Sequence, residues 1–276
     1  MTQKSGINKS LWLFFLLAYA FSWLFWIPQA LAANGMALPV WVSEFLASLF
    51  NPAAFGPLVA ALVLAFLDEG WKGAIGLLKR GLDFRFKKVW LLPILLLPPL
   101  IFTGAILLSV FTGATPLDSS VLSNPIVAIV ALVIILLTAG PLQEEFGWRG
   151  YALPRLQTRF NALVSSLILG VLWWLWHLPL VFIPNRFMVS SPLLFGALMV
   201  EMVLVSILFT WIYNNTGGSI LAAMLFHTIM NWSIWVALPS MKVNISIIGF
   251  TIMLLAIVVA VVLGRWGPNR LRRNSG

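Results

Sequence analysis

Long apolar stretches separated by short polar segments dominate the hydrophobic pattern of this chain. A transmembrane helix needs about 20 apolar residues, and backbone polar groups in hydrocarbon have to bond within their own segment. Eight runs meet this requirement, and each is therefore expected to be a helix. They cover residues 11–32, 43–67, 89–112, 122–143, 161–183, 191–213, 217–238 and 245–264. The pattern predicts an all-α polytopic membrane protein with eight transmembrane helices, in one transmembrane domain over residues 1–276.

Composition and charge support this prediction and indicate an orientation. Hydrophobic residues make up 61% of the chain and charged residues 9%, whereas soluble domains carry roughly 25% charged residues. If eight helices alternate, 15 of the 17 Lys and Arg residues lie on one side, and only Arg186 and Lys242 lie on the other. The positive-inside rule then predicts that both termini are cytoplasmic, with the chain in the cell inner (plasma) membrane.

The basic charge of the chain lies in short segments beside the apolar runs. The net charge is +9, and the longest polar stretch, 68–88, is basic and amphipathic. This placement favours contact with the head groups of the lipid bilayer at the cytoplasmic face and excludes nucleic acid as an expected partner. The chain has no cysteine, so disulfides and thiolate chemistry are excluded as well.

A few ionisable residues lie within or at the ends of the apolar runs. Burying a charge in a membrane costs at least about 2.5–3.5 kcal/mol, so such residues are candidates for function. They are Glu144, Glu145, Glu201 and the two histidines of the chain, His177 and His227. Histidine is the commonest general acid or base, so together they indicate a catalytic or transport site. No spacing argument applies to Glu201, which either pairs with a charge or lines a water cavity.

The two adjacent glutamates are expected to have different roles. Glu145 and Arg149 are four residues apart, so on a helix they share a face and can form an ion pair. Glu144 is rotated by about 100° from Glu145 and is left to bind a water molecule.

The two histidine segments also show a four-residue spacing. Trp173 precedes His177 by four residues, which allows an aromatic ring to pack beside the imidazole. His227 and Asn231 share one helix face and present two polar groups to the interior of the helix bundle. The glutamates and the two histidines lie at one depth in the membrane only if the fourth helix continues through the glutamates to about residue 155. Pro154 limits how far that helix can run unbroken.

Three motifs, in this order on successive helices, resemble one known family. They are E-E-x-x-x-R at 144–149, aromatic-x-x-x-H at 173–177 and H-x-x-x-N at 227–231. The chain is similar to the CPBP family, which comprises CAAX proteases and bacteriocin-processing enzymes and is also called Abi. The family-like core covers about residues 122–238. Trp173 departs from the usual pattern, in which this position is phenylalanine.

The resemblance implies an intramembrane glutamic endopeptidase without a cofactor or a metal, whose catalytic core comes from helices 4, 5 and 7. Glu144 and His177 would hold the attacking water, and His227 and Asn231 would form the oxyanion hole. By the same resemblance Glu145 and Arg149 would have a supporting role. The substrate would be a membrane-associated peptide or a lipidated peptide.

Other functions remain open at this point. Glu144, His177 and His227 could form a His₂Glu zinc site of an intramembrane metalloprotease, although the H-E-x-x-H motif is absent. Intramembrane Glu and His residues also form proton relays in transporters. A non-catalytic immunity protein with the same fold is a third alternative. Neither the identity of the substrate nor the oligomeric state follows from the sequence.

Overall fold

The structure is a computed structural model that describes residues 2–48, 51–113, 124–184, 191–237 and 245–272. The described residues are helical, without a strand. Arg186 and Lys242, which contribute to the predicted charge asymmetry, lie outside them. The helices are α1 (Thr2–Ala33), α2 (Val40–Ala47), α3 (Gly56–Arg80), α4 (Leu91–Phe111), α5 (Pro125–Thr138), α6 (Pro141–Gly147), α7 (Leu153–Gln157), α8 (Ala162–Trp176), α9 (Leu178–Val181), α10 (Pro192–Asn215), α11 (Ile220–Ala237) and α12 (Ile245–Trp266).

Several of these helices are long and apolar enough to cross a membrane, and the chain is an all-α, multi-pass membrane protein. Among the described residues five helices meet this criterion, and α5 together with the bent segment that follows would make a sixth. The two remaining predicted spans correspond to α8 and α11, which are apolar but shorter. The count of eight transmembrane helices therefore stays a prediction.

Helix α3 does not end where the second apolar run ends. The run was predicted to stop near residue 67, but the helix continues to Arg80 through a kink at Gly70, whose φ is 63° and ψ is −154°. Glycine adopts positive φ without steric cost, so the chain changes direction at this non-helical residue and a second helical segment follows it. The first part of the predicted amphipathic stretch 68–88 is therefore an extension of this helix.

The fourth predicted span is broken rather than continuous. Helix α5 ends at Thr138, and the chain resumes at Pro141 with a bend of 40° and runs to Gln157. A π-helical turn at Trp148–Ala152 joins α6 to α7. Pro154 lies in the first turn of α7, where the absence of an N–H group is tolerated. The helix thus passes the glutamates, as the sequence required, but only after an interruption.

Small residues bring the helices of the core close together. A Cβ atom on Gly147 would lie 2.5 Å from Pro57 of α3, and one on Gly170 of α8 would lie 2.8 Å from the Cα atom of Val203 on α10. Such close approach is typical of membrane helices, which associate by packing and interhelical hydrogen bonds. These contacts fix α6 and α8 in the interior, where α11 also packs against α6.

Candidate active site

Side chains from three separate parts of the chain meet in the interior. The glutamates lie on α6, His177 directly follows α8, and His227 lies on α11. Glu144, Glu145, His177 and His227 are all at most 8% exposed. The rings of Trp173 and His227 are 5.6 Å apart, centroid to centroid, and those of Trp173 and His177 are 6.0 Å apart. The structure therefore brings residues from all three motifs into one buried cluster.

Two indole groups hold one oxygen of the Glu144 carboxylate. Glu144 Oε2 accepts a hydrogen bond from Trp148 Nε1 at 3.2 Å and from Trp173 Nε1 at 2.5 Å. Two donors on one oxygen fix the orientation of the carboxylate plane. The sequence suggested that the carboxylate is free. The structure shows instead that one oxygen is already bonded, so that only Oε1 remains for another partner.

Glu144 Oε1 and His227 both lie close to Gly140. The position that a Cβ atom would take on Gly140 lies 2.5 Å from Glu144 Oε1 and 3.3 Å from His227 Nε2. Both distances start from one point, so the carboxylate oxygen and the imidazole nitrogen lie within about 6 Å of each other, the sum of 2.5 and 3.3 Å. One water molecule can bridge two groups at such a separation.

Gly140 permits this close approach because it has no side chain, and it lies between the end of α5 and the start of α6. Its φ is 108°, and the backbone of any residue that carries a side chain is strained at this angle. The Gln143 side chain joins the two helices, because its Oε1 accepts from Gly140 N at 3.1 Å and its Nε2 donates to Leu137 O at 2.8 Å. The break in the fourth span is thus hydrogen-bonded on both sides and places the N-terminus of α6 at the cluster.

Glu145 pairs with two cationic or potentially cationic groups. Its Oε1 accepts from Arg149 Nη1 at 2.9 Å, the ion pair expected from the four-residue spacing, and from His227 Nδ1 at 2.8 Å. The Arg149 guanidinium also lies over the rings of Phe209 and Trp173, 3.8 and 4.6 Å from their centroids. Because this pair is almost wholly buried, loss of either partner would leave an uncompensated charge in the interior.

The hydrogen bonds of the two imidazoles define which nitrogen carries a proton. Glu145 accepts from His227 Nδ1, so His227 Nε2 is the nitrogen that faces Glu144. His177 Nδ1 lies 2.8 Å from the carbonyl oxygen of Trp173, which can only accept. Nδ1 of His177 is therefore protonated, and Nε2 is an acceptor when the ring is neutral.

The remaining two candidate residues lie at different distances from the cluster. Asn231 Nδ2 donates to the carbonyl oxygen of Ala139 at 2.8 Å, so its side chain lies at the helix break beside the glutamates. Glu201 lies on α10 and is partly exposed, and Arg149 pairs with Glu145 instead of with it. Among the described residues its carboxylate has neither a hydrogen bond nor an ion pair. The structure does not place Glu201 with the other candidates.

Three contacts of the cluster were absent from the sequence argument. The Trp148–Glu144 pair has the same four-residue spacing as Arg149 and Glu145, so a search for indole donors at that spacing would have found it. The contacts of Glu144 with Trp173 and of Glu145 with His227 join different helices, and no local spacing signals them.

The geometry does not favour the predicted zinc alternative. In the part of the chain that the structure describes, no group of three or more His, Asp or Glu side chains is arranged to hold a metal ion. His227 Nδ1 faces Glu145 and His177 Nδ1 faces a backbone carbonyl, so each imidazole is oriented by a hydrogen bond to protein.

Comparison with known proteins identifies the segment that carries the cluster. Residues 125–233 match the family model described as type II CAAX prenyl endopeptidase Rce1-like. Over 103 residues the chain is 33% identical to a protein named CAAX prenyl protease 2 from Methanococcus maripaludis. This alignment covers 36% of the chain and 38% of the relative, so the similarity spans well under half the length of either protein. The segment that carries the cluster is thus similar to the CAAX protease (CPBP) family, as the order of the three motifs predicted.

Proposed function

We propose that this protein is an intramembrane endopeptidase that cleaves a lipidated, CAAX-type peptide with a water molecule activated by Glu144. The observation that carries the proposal is that Glu144 Oε1 and His227 Nε2 both closely approach one point beside Gly140. A carboxylate and imidazoles buried in one cluster are groups that can activate water for the hydrolysis of an amide.

Glu144 acts as the general base in the first step. Its Oε1 accepts a proton from the water as the water oxygen bonds to the carbonyl carbon of the substrate. The two indole donors on Oε2 hold the carboxylate in the orientation that this transfer needs. His177 Nε2 accepts the second hydrogen of the same water, because the proton of the imidazole is on Nδ1.

His227 and Asn231 stabilise the negative charge that develops on the substrate oxygen. His227 Nδ1–H is donated to Glu145, so Nε2 is a donor only in the imidazolium form, for which Glu145 is the counter-charge. Asn231 uses one amide hydrogen for Ala139 O and retains a second for the oxyanion. In soluble proteases one such donor lowers the activation barrier by about 2.7–4 kcal/mol.

The tetrahedral intermediate collapses when the C–N bond breaks. The protonated Glu144 gives its proton to the leaving nitrogen, so the products are a carboxylic acid and an amine, and the carboxylate of Glu144 is restored. No bond between enzyme and substrate forms in this sequence. Glu145 and Arg149 do not contact the reacting atoms and act by orienting His227.

The position of the cluster suggests how a lipidated substrate reaches it. The break between α5 and α6 is solvent- or lipid-accessible on one side, because Thr138 and Ala139 are exposed while Gly140 is buried. An extended peptide can reach Glu144 along this break while its lipid remains beside the apolar helices. The charge distribution of the sequence supports a cytoplasmic approach, with both termini cytoplasmic in the inner membrane.

The test uses purified protein in detergent and a farnesylated peptide that ends in a C-A-A-X sequence. Mass spectrometry of the products should show loss of the three terminal residues, with one water added across the bond after the modified cysteine. The same peptide without the farnesyl group should be cleaved more slowly. Absence of cleavage of the farnesylated peptide, with protein shown to be folded by its thermal transition, would overturn the proposal.

A further inference from the structure

A concave site that shares no residue with the catalytic cluster lies where α3 ends beside the turn between α10 and α11. Its volume is about 240 Å³. Mostly polar groups line it: Arg80, Asp83, Arg85, Thr216, Gly217, Gly218 and Ser219. We refer to it as the Arg80 cavity. The catalytic mechanism uses none of these residues.

The charge of Arg80 has no carboxylate partner among the described residues. Its Nη1 donates to Gly150 O at 3.0 Å, and its Nη2 donates to the Tyr213 hydroxyl at 2.5 Å and more weakly to Gly218 O at 3.4 Å. These neutral oxygens satisfy hydrogen bonds but do not balance a charge. A partly buried guanidinium without a counter-ion favours an anion in the cavity that it lines.

The acidic residue of the cavity is already neutralised. Asp83 forms two side-chain hydrogen bonds with Arg85, from Nε at 2.9 Å and from Nη2 at 2.8 Å. These bonds, the largest cause, lower the pKa of Asp83 to about 2. Asp83 therefore stays ionised and paired with Arg85 at neutral pH, and the positive charge that remains in the cavity is that of Arg80.

The backbone on the opposite wall also favours an anion. Gly217 and Gly218 have φ angles of 69° and 81°, and they lead directly into the N-terminus of α11. Ser219 accepts from Ala222 N at 3.1 Å and so caps this helix. The positive end of the dipole of α11, an 18-residue helix, therefore points to the same cavity as Arg80.

The surroundings place the cavity at a membrane surface. Leu78, Leu82 and Phe84 are large apolar side chains beside it in sequence, and all are exposed, Leu82 by 72%. Exposed apolar side chains next to Arg residues are typical of a segment at the boundary between head groups and acyl chains. None of the residues that line the cavity belongs to the buried cluster of glutamates and histidines, so it is a separate site.

We propose that the Arg80 cavity binds a phosphate group, that of an anionic phospholipid head group or of free phosphate. Arg80 supplies the charge, the α11 N-terminus supplies backbone donors, and the apolar side chains beside the cavity accommodate the acyl chains of a lipid. A bound anionic lipid would hold the end of α3 against the turn between α10 and α11.

Gly217 offers a matched pair of variants for testing this site. The residue is exposed, its φ of 69° suits Asn and Asp, and a Cβ atom there would meet no atom within 4 Å. Gly217→Asp places a carboxylate in the cavity, while Gly217→Asn places a neutral group of the same shape. Arg80→Gln is a second variant that removes the charge and keeps amide donors.

The experiment measures the thermal unfolding midpoint of the protein in a neutral detergent, followed by tryptophan fluorescence. The probes are short-chain phosphatidylglycerol against short-chain phosphatidylcholine, and sodium phosphate against sodium chloride at equal ionic strength. At a tenfold excess over Kd, a ligand of the folded state raises the midpoint by roughly 2–5 °C. We expect this increase in the wild type and in Gly217→Asn, and its loss in Gly217→Asp and Arg80→Gln.

The two pairs of probes distinguish the source of the phosphate group. An increase with phosphatidylglycerol alone supports a lipid head group, and an increase with inorganic phosphate as well supports a site that also takes free phosphate. If neither probe raises the wild-type midpoint above its control, or if Gly217→Asp responds like Gly217→Asn, the proposal is wrong.

Discussion

Replacement of Gly140 by alanine perturbs the catalytic carboxylate without removing any functional group. The added methyl group would lie 2.5 Å from Glu144 Oε1, well inside van der Waals contact, so the carboxylate must move by about 1 Å. A displacement of 1 Å in a catalytic group can cost about 100-fold in rate. The backbone strain at φ 108° adds a loss of roughly 1–3 kcal/mol in the free energy of unfolding.

The assay compares kcat, KM and thermal stability of Gly140→Ala with those of Gly35→Ala. Gly35 has a φ of 98°, and a Cβ atom there would meet no atom within 4 Å, so its variant carries the backbone strain alone. We expect both variants to lose stability, but only Gly140→Ala to lose about 100-fold in kcat. If Gly140→Ala retains the wild-type kcat, the reaction does not depend on the position of Glu144 Oε1 beside Gly140.

Three further predictions concern other parts of the cluster. Glu145→Gln should lower the free energy of unfolding by about 3–5 kcal/mol because it leaves Arg149 buried and unpaired. The control Asp68→Asn, at an exposed ion pair, should lower it by under about 1 kcal/mol. Equal losses for the two variants in chemical or thermal unfolding would contradict the role of Glu145. Trp173→Phe removes one of two indole donors on Glu144 and should lower kcat up to about tenfold with KM unchanged, whereas Trp174→Phe on the same helix should leave kcat unchanged. Peptidase activity should survive dialysis against a zinc chelator, and its loss with recovery on added zinc would revive the metalloprotease alternative.

Hydropathy and charge were sufficient to predict the fold class but not the boundaries of the helices. The apolar runs predicted helices because a membrane leaves the backbone no other way to satisfy its polar groups. They did not predict the extension of α3 to Arg80, since the polar residues after position 67 have no hydropathy signal. The break at Gly140 was visible as a Gly-Pro pair, but the bend of 40° depends on hydrogen bonds from Gln143 that the pattern does not show.

Spacing along a helix predicted those contacts of the candidate site that lie within one helix. The Glu145–Arg149 pair and the proximity of Trp173 to His177 follow from residues four apart. The contact between Glu145 and His227 joins residues 82 positions apart, so it depends on how α11 packs against α6. Glu201 had no spacing argument, and the structure places it on α10 outside the cluster.

The catalytic role of Glu144 is tested most directly by the initial rate of cleavage of the farnesylated peptide by Glu144→Gln. The control is Glu69→Gln, which makes the same chemical change at an exposed position of α3. We expect Glu144→Gln to bind the peptide and to unfold at a temperature close to that of the wild type, with a rate at least about 100-fold lower, and Glu69→Gln to cleave at the wild-type rate. Cleavage by Glu144→Gln at the wild-type rate would contradict activation of water by this carboxylate.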